Sequence, residues 1–587
     1  MLALPTEDPA RKRALRVDAV WDIETANWDR FVCGALWTAS RDVVEVFDDE
    51  DDLARSLLDL PAASVAWAHA GGKFDVLWLL DWCRRNGEIP KAQIRLSGGS
   101  ITSLAIKGGP VLRDSARLIP MALKEACTMF DGCAQKERLD FPCTCGESCG
   151  GYCAIRRDMP GVQRARLRAY LEADILSLRD TLLALVDYAE RSDLLLAGTV
   201  ATTGWRTAQS TCANVVDAEW EIEAYRLARA GYYGGRCEVG RRRAARVQRF
   251  DRKQAYPAAL KLPVPCGEMA VLDRRTAPLA WKRDKPGCYF ATVDVPELHA
   301  PPLPVRLRDR IVYPWGKLVG TWTRDELHRA EECGAVIKRL HGGVAWADEL
   351  PLLAPHVDHC FKLREAATSK ALKTWLKFVA NSLTGAFAQD PSQDVVMLGD
   401  YADDPSYEPV GRYDWIWRRE VFRISQRAHV HWAAMLTARA RVELHREIEH
   451  AGDDWCYSDT DSCIATRTLT RNVGEDLGQW AFEGEATDFV ALAPKVYSYD
   501  VGGKLHARAK GIPRADRAWP AIMSGDRVPL NRGVDSLLVA SKGAKLFKRR
   551  DGGRRVTPRD GWIGGRLLDG PEGTRAPHFD DLSALPR

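Results

Sequence analysis

Two short acidic strings constrain this chain more than any other feature. WDIET carries Asp22 and Glu24 one residue apart, and YSDTDS carries Asp459 and Asp461 at the same spacing. On a strand, residues i and i+2 point to one face, so each string stands two carboxylates side by side. Like charges that close resist joint ionisation unless something positive sits between them. The spacing therefore asks for strands that end where cations gather.

Around the first string the pattern is regular. VDAVWDIE reads as a buried strand and FVCGALWT as a second one. SVAWAHAGGKFDVLWLLDWC reads as a strand, a Gly-Gly loop and an apolar helix with Asp75 near its start. RARLRAYLEADILSLRDTLLALVDYAE has the three- and four-residue apolar steps of a long amphipathic helix, with Tyr170 and Asp174 on one face. Strands alternating with helices predict an α/β domain over residues 1–195. Asp22, Glu24, Asp75 and Asp174 could together hold two divalent cations about 4 Å apart, which activate water and stabilise a leaving oxygen. Tyr170 stands where it could orient that water. Taken singly, each acid is better explained as a helix cap or a surface group; the ordered set is not.

The second string needs a partner, and FDRKQAYPAAL offers one. Val247 to Phe250 reads as a strand delivering Asp251, and Tyr256 and Pro257 open the next helix, where proline suits the first turn. WCYSDTDSCIAT reads as strand, turn, strand. Asp251 with Asp459 and Asp461 makes an oxygen-rich site suited to Mg²⁺ and its phosphate ligands. The helix EAATSKALKTWLKFVANSLTGAF places Lys370, Lys373, Lys377 and Asn381 on one face and turns Trp375, Phe378 and Val379 towards a core. That face suits a triphosphate, although a lysine stripe alone is more often a solvated surface.

Bulk properties narrow the class without choosing a partner. A chain of 587 residues exceeds one core, so several domains are expected. Its 84 basic residues nearly cancel 80 acidic ones, leaving a formal charge of +4, although basic runs stand out at 240–249 and 545–559. No stretch of about 18 apolar residues could span a bilayer, and the charged N-terminus lacks a signal-like apolar run. A cytoplasmic protein with no membrane partner is expected, its 16 cysteines serving as thiols or metal ligands. Cys143, Cys145, Cys149 and Cys153, in CTCGESCGGYC, are a candidate tetrahedral Zn²⁺ staple, although Cys-x-Cys is tighter than the usual knuckle.

From about residue 17 to about residue 513, these strings resemble a family B DNA polymerase with its proofreading exonuclease. WDIET, KFD and YLEAD resemble the three exonuclease motifs; FDRKQAYP, KFVANSLTG and YSDTDS resemble polymerase motifs A, B and C. YYGG, with Tyr232, resembles the Tyr-x-Gly-Gly string between the modules, and KVY, with Lys495 and Tyr497, the Lys-x-Tyr string that holds a primer end. Each is weak alone; eight in order are specific. The resemblance implies an α/β and α+β multidomain chain, a ribonuclease H-like exonuclease domain followed by a right-hand palm, fingers and thumb. It implies Mg²⁺, two ions per active site with Mn²⁺ able to substitute, held by Asp22, Glu24, Asp75 and Asp174 in one site and by Asp251 and Asp459, supported by Asp461, in the other. Lys377 and Lys370 would meet the incoming triphosphate, and Tyr256 would pack under its sugar. Lys136, in KERLD, resembles a catalytic lysine of phage enzymes.

The early start of the first motif resembles the compact, protein-primed enzymes of phages and linear plasmids. It implies domains at 1–195, 196–500 and 501–587, with insertions at about 262–357 and 389–425. The partners implied are primer–template DNA, dNTPs and a terminal protein, acting with a monomer in a host cytoplasm. Four positions depart from the family pattern: Gln254 and Ala255 replace Ser-Leu in motif A, Thr384 replaces a Tyr in motif B, and Ala70 stands where an Asn is usual. Two rival readings are a stand-alone exonuclease with a DNA-gripping C-terminal half, and an inactive polymerase relic that binds DNA. The intact carboxylates weigh against both.

Overall fold

The computed structural model describes residues 15–585 except 27–29, 98–99, 137–138, 140, 142–153, 157, 308–309, 411–412, 513, 527, 530–552, 555–561 and 571. The apolar run at 19–26 forms the strand Ala19–Ala26, third from one edge of a ten-stranded sheet. It pairs antiparallel with Arg30–Thr38 and parallel with Val65–Ala68, which in turn runs parallel to Val111–Asp114. The 31-residue helix Gly161–Arg191 packs across these strands through Leu167, Leu171, Ile175 and Leu178. Its buried stripe recurs at steps of three and four, as the sequence pattern predicts.

Two parts of the later chain join this first layer. Ser392–Leu398 and Tyr413–Phe422 form the hairpin expected at 389–425, and its first strand pairs with Ala92–Ser97, extending the exonuclease-like sheet rather than standing apart. The helix Lys370–Phe387 is capped by Ser369 and buries Leu372, Trp375, Leu376 and Val379 in the same core as Leu167 and Leu171. Trp375 Nε1 donates to the Leu118 carbonyl at 2.9 Å, satisfying the one polar atom of a large buried ring.

A second, seven-stranded antiparallel sheet forms the floor of the later domain. Its strands run Lys504–Ala509, Val496–Val501, Trp480–Ala493, Arg243–Arg252, Ser462–Ala465, Trp455–Asp459 and Cys237–Val239. The helix Val430–Ala451 packs on one side, with Leu444 and Ile448 against Phe250 and Cys463. Residues 262–357 form mainly a four-stranded sheet with its own core around Tyr289, Val293 and Trp322. No helix among the described residues is long and apolar enough to cross a membrane.

Candidate active sites

The first site gathers at the end of Ala19–Ala26. Asp22 and Glu24 share a face of that strand, and Asp174 reaches them from the long helix. One carboxylate oxygen from each lies within 4.8 Å of the others, a group that could hold a metal ion. Asp75 is the first residue of the helix Asp75–Asn86 and hydrogen-bonds the Asp22 carboxyl. A tight Gly-Gly turn brings it there: a Cβ on Gly72 would meet the Ile101 carbonyl oxygen at 1.7 Å, so only glycine fits. Ala70, just before, adopts a left-handed φ of 60°, which the usual Asn would take more readily.

Burial and mutual repulsion load this site with protons. Burial, then Asp75, Glu24 and Asp174, hold Asp22 well above the carboxylate range. Burial, then Asp174, lifts Glu24 to about 8, and burial lifts Asp75 to about 7. Lys136 opposes this. Its Nζ donates to the Tyr170 hydroxyl at 2.7 Å, contacts the Asp174 carboxylate and lies 4.6 Å over the Tyr170 ring. A short string match had been its only signal in the sequence, and the fold makes it part of the site. Hard oxygen ligands in a proton-rich cluster, with Asp75 Oδ1 buried and lacking a hydrogen-bond partner, fit a divalent cation.

The second site is built on strand register. Ser462 pairs with Asp251 on one side and with Asp459 on the other. Direct cross-strand partners project from one face, so the two aspartates flank Ser462, about 10 Å apart across two strand spacings. Thr460, at φ 62°, turns the chain between Asp459 and Asp461. The Asp461 amide donates back to the Asp459 carbonyl at 2.7 Å, and its own carbonyl accepts from the Arg252 amide at 2.7 Å. The turn is thereby tied to the strand that carries Asp251.

Cations face these acids from two elements. Lys495 Nζ donates to both Asp459 oxygens at 2.8 Å, and its amide donates to the Tyr457 hydroxyl. Lys377, exposed on its helix, lies close enough to offset the charge of Asp251 and Asp461. Asp251 is nevertheless pushed up to about 6, by burial first and then by Asp461 and Glu483. Glu483, on Trp480–Ala493, had no signal in the sequence, because its proximity comes from pairing between distant strands. Asn381, on the Lys377 face, has a buried Oδ1 with no hydrogen-bond partner, available to a ligand. Lys370 is two turns towards the helix N-terminus, about 10 Å from Lys377 along the axis. Tyr256 is half-buried beside Tyr232, and the Tyr497 ring lies 4.6 Å from Tyr457.

The YYGG segment runs directly behind the acidic turn. The Thr460 amide donates to the Arg236 carbonyl at 2.7 Å, and a Cβ on Gly235 would lie 2.5 Å from Thr460 Oγ1. Arg441 holds the segment from the other side, donating to the Tyr233 and Gly234 carbonyls while paired with the buried Glu326. Cys143, Cys145, Cys149 and Cys153 lie outside the described residues.

With an acidic cluster on an α/β sheet and a split aspartate pair on an antiparallel one, this chain resembles the family B DNA polymerases in fold and in motif order. Within that class it is similar to organellar and viral enzymes. The family model for DNA polymerase type B, organellar and viral, matches residues 166–406. The DNA-directed DNA polymerase of Enterobacteria phage PRD1 is 23% identical over 499 residues, 79% of each chain. A probable DNA polymerase of Neurospora intermedia is 21% identical over 311 residues, 48% of this chain but only 32% of the relative. Phi29 DNA polymerase, solved with primer-template DNA and incoming nucleotides, superposes with a TM-score of 0.71 at 15% identity, covering 92% of this chain and all of its own. Its orthorhombic crystal form gives 0.69 at 17% identity, with the same coverage. The fold is therefore the exonuclease-plus-right-hand architecture expected from the motifs.

Proposed function

We propose that this chain is a template-directed DNA polymerase that adds dNTPs to a primer 3′-hydroxyl and trims the same end at a separate 3′–5′ exonuclease site. The observation that carries this reading is the placement of Asp251 and Asp459 either side of Ser462, with Lys377 facing them. Residues 1–195 would form the exonuclease domain, 196–500 the palm and fingers with insertions at about 262–357 and 389–425, and 501–587 the thumb and tail.

Asp251 and Asp459, supported by Asp461, would hold Mg²⁺ in one site; Asp22, Glu24, Asp75 and Asp174 would hold it in the other. Bound there, such ions would supply an activated oxygen nucleophile and offset charge on the reacting phosphate. The chain's own residues do the positioning. Lys377, with Lys370 further along the same face, draws in the triphosphate, and Asn381 offers its buried oxygen. Tyr256 packs under the sugar, and Tyr232, Lys495 and Tyr497 steady the primer end. At the exonuclease site Tyr170 and Lys136 orient the attacking water beside Asp174. Likeness to the compact enzymes supports priming from the hydroxyl of a terminal protein.

A 5′-labelled primer–template incubated with Mg²⁺ tests the reading. Extension is expected with dNTPs and shortening without them. Asp459→Ala should remove only extension and Asp22→Ala only shortening; normal extension by Asp459→Ala would sink the assignment.

A further inference from the structure

The C-terminal strands carry no recognisable motif, yet they reach the back of the polymerase site. Arg566, wholly buried, opens the strand Arg566–Asp569. Its Nε donates to Thr574 Oγ1 at 2.7 Å, its Nη2 to the His299 carbonyl at 3.0 Å, and its Nη1 lies 3.7 Å from Glu238. The guanidinium also covers the Trp455 ring at 5.1 Å. Thr574 in turn donates to the Val239 carbonyl at 2.6 Å. Glu238 pairs with Arg236 at 2.6 Å, and Arg236 Nη1 donates to the Pro301 carbonyl at 3.0 Å.

These contacts converge on the strand that backs the acidic turn. Cys237 pairs with Asp459, Glu238 pairs with Ser458, and the Arg236 carbonyl accepts from Thr460. Strand alternation puts Glu238 on the face opposite Asp459, so Arg566 grips the sheet from behind. It fastens both Cys237–Val239 and the first residue of Trp455–Asp459. Two arginines and one glutamate in a buried cluster leave an excess positive charge, which is costly to bury and is offset by the hydrogen bonds to Thr574, His299 and Pro301.

Resting on the polymerase reading above, we propose that Arg566 is a positioning residue for the Asp459–Asp461 turn, acting through Glu238 and Arg236 on the strand behind it. The C-terminal segment then belongs to the polymerase site and not to the exonuclease site.

The test is Arg566→Met in the full chain. The substitution leaves Arg236 and Glu238 as a balanced pair and keeps most of the apolar packing. The expected result is a drop of about tenfold or more in kcat for extension, with KM for dNTP within about threefold, following the sensitivity of positioned groups to small displacements. Half-saturation of extension by Mg²⁺ should shift upward while the Mg²⁺ curve for shortening stays put. Arg566→Lys should recover part of kcat. If the methionine variant melts below assay temperature, Thr574→Val removes one link of the same chain and must show the same split. Extension unchanged, or both activities falling together in a folded variant, overturns the proposal. Absence of extension by the unaltered chain would instead overturn the polymerase reading.

Discussion

Gly235→Ala probes the packing behind the acidic turn. The added Cβ would sit 2.5 Å from Thr460 Oγ1, 2.8 Å from its Cγ2 and 3.0 Å from its Cβ, where ordinary contact begins at 3.4 Å. Thr460 must therefore retreat by about 0.9 Å at its hydroxyl, and the close Cβ contact means that rotating the side chain is not enough. Its amide is bonded to the Arg236 carbonyl one residue from the substitution, so the turn moves with it. A displacement near 1 Å at a reacting group costs on the order of 10²-fold in rate. Single-turnover incorporation of one dNTP should fall by roughly that factor, while shortening of single-stranded DNA by the same preparation stays within about twofold. Gly235→Ala combined with Thr460→Gly removes the clashing side chain, and glycine accepts the φ of 62° at that position. The double variant should recover most of the rate. Incorporation by Gly235→Ala within about threefold of the parent, or no recovery in the double variant, refutes the steric argument.

Lys136→Met removes the cation that opposes protonation of Asp22 and Glu24, so the exonuclease pH profile should move to higher pH and its Mg²⁺ requirement should rise; extension assays on the same protein should not change. Arg441→Met removes the cation paired with the buried Glu326, a loss on the order of 3–5 kcal/mol, and adding Glu326→Leu should return only part of it, because the same carboxylate caps its own helix through Thr323, as read by urea dependence of extension activity. Burial holds His356 down at about 3, so the folded state refuses a proton that the unfolded chain binds below about 6.5. Its contribution is complete above that pH and is lost as pH falls towards 3, by up to about 1.4 kcal/mol per unit. Relative to the parent, His356→Gln should gain stability on acidification from pH 6.5 to 5, and parallel melting curves across that range would exclude the effect.

Local chemistry was legible in the sequence because it is written at short range. The i, i+2 acid pairs, the Tyr170–Asp174 helix step, the Lys377–Asn381 face and the proline opening the Tyr256 helix all follow from residue spacing. What stayed hidden depends on contacts between distant segments. Glu483 enters the polymerase site only because Ala481 pairs with Asp251, and no periodicity near either residue announces that register. Arg441 looks like one more polar residue on a long helix until Glu326 and the Tyr233 carbonyl are brought to it. Arg566 stands in a glycine- and arginine-rich stretch in which no motif is recognisable, yet it is among the most deeply buried charges.

The hairpin at 392–422 and the helix Lys370–Phe387 show why boundaries read from sequence separate what packing joins. Both lie in the later half of the chain, yet one extends the sheet bearing Asp22 and the other buries Trp375 among residues of the first domain's core. The helix that presents Lys377 to the palm therefore owes much of its buried surface to the exonuclease-like domain. A free helix with that apolar face exposed would forfeit roughly 1.5–3 kcal/mol for each large side chain returned to water. Its lysine face is thus held in place by contacts on the opposite side, made to the first, α/β domain. That arrangement fixes the distance between the two sites through one continuous core, which a flexible linker between independent modules would leave variable.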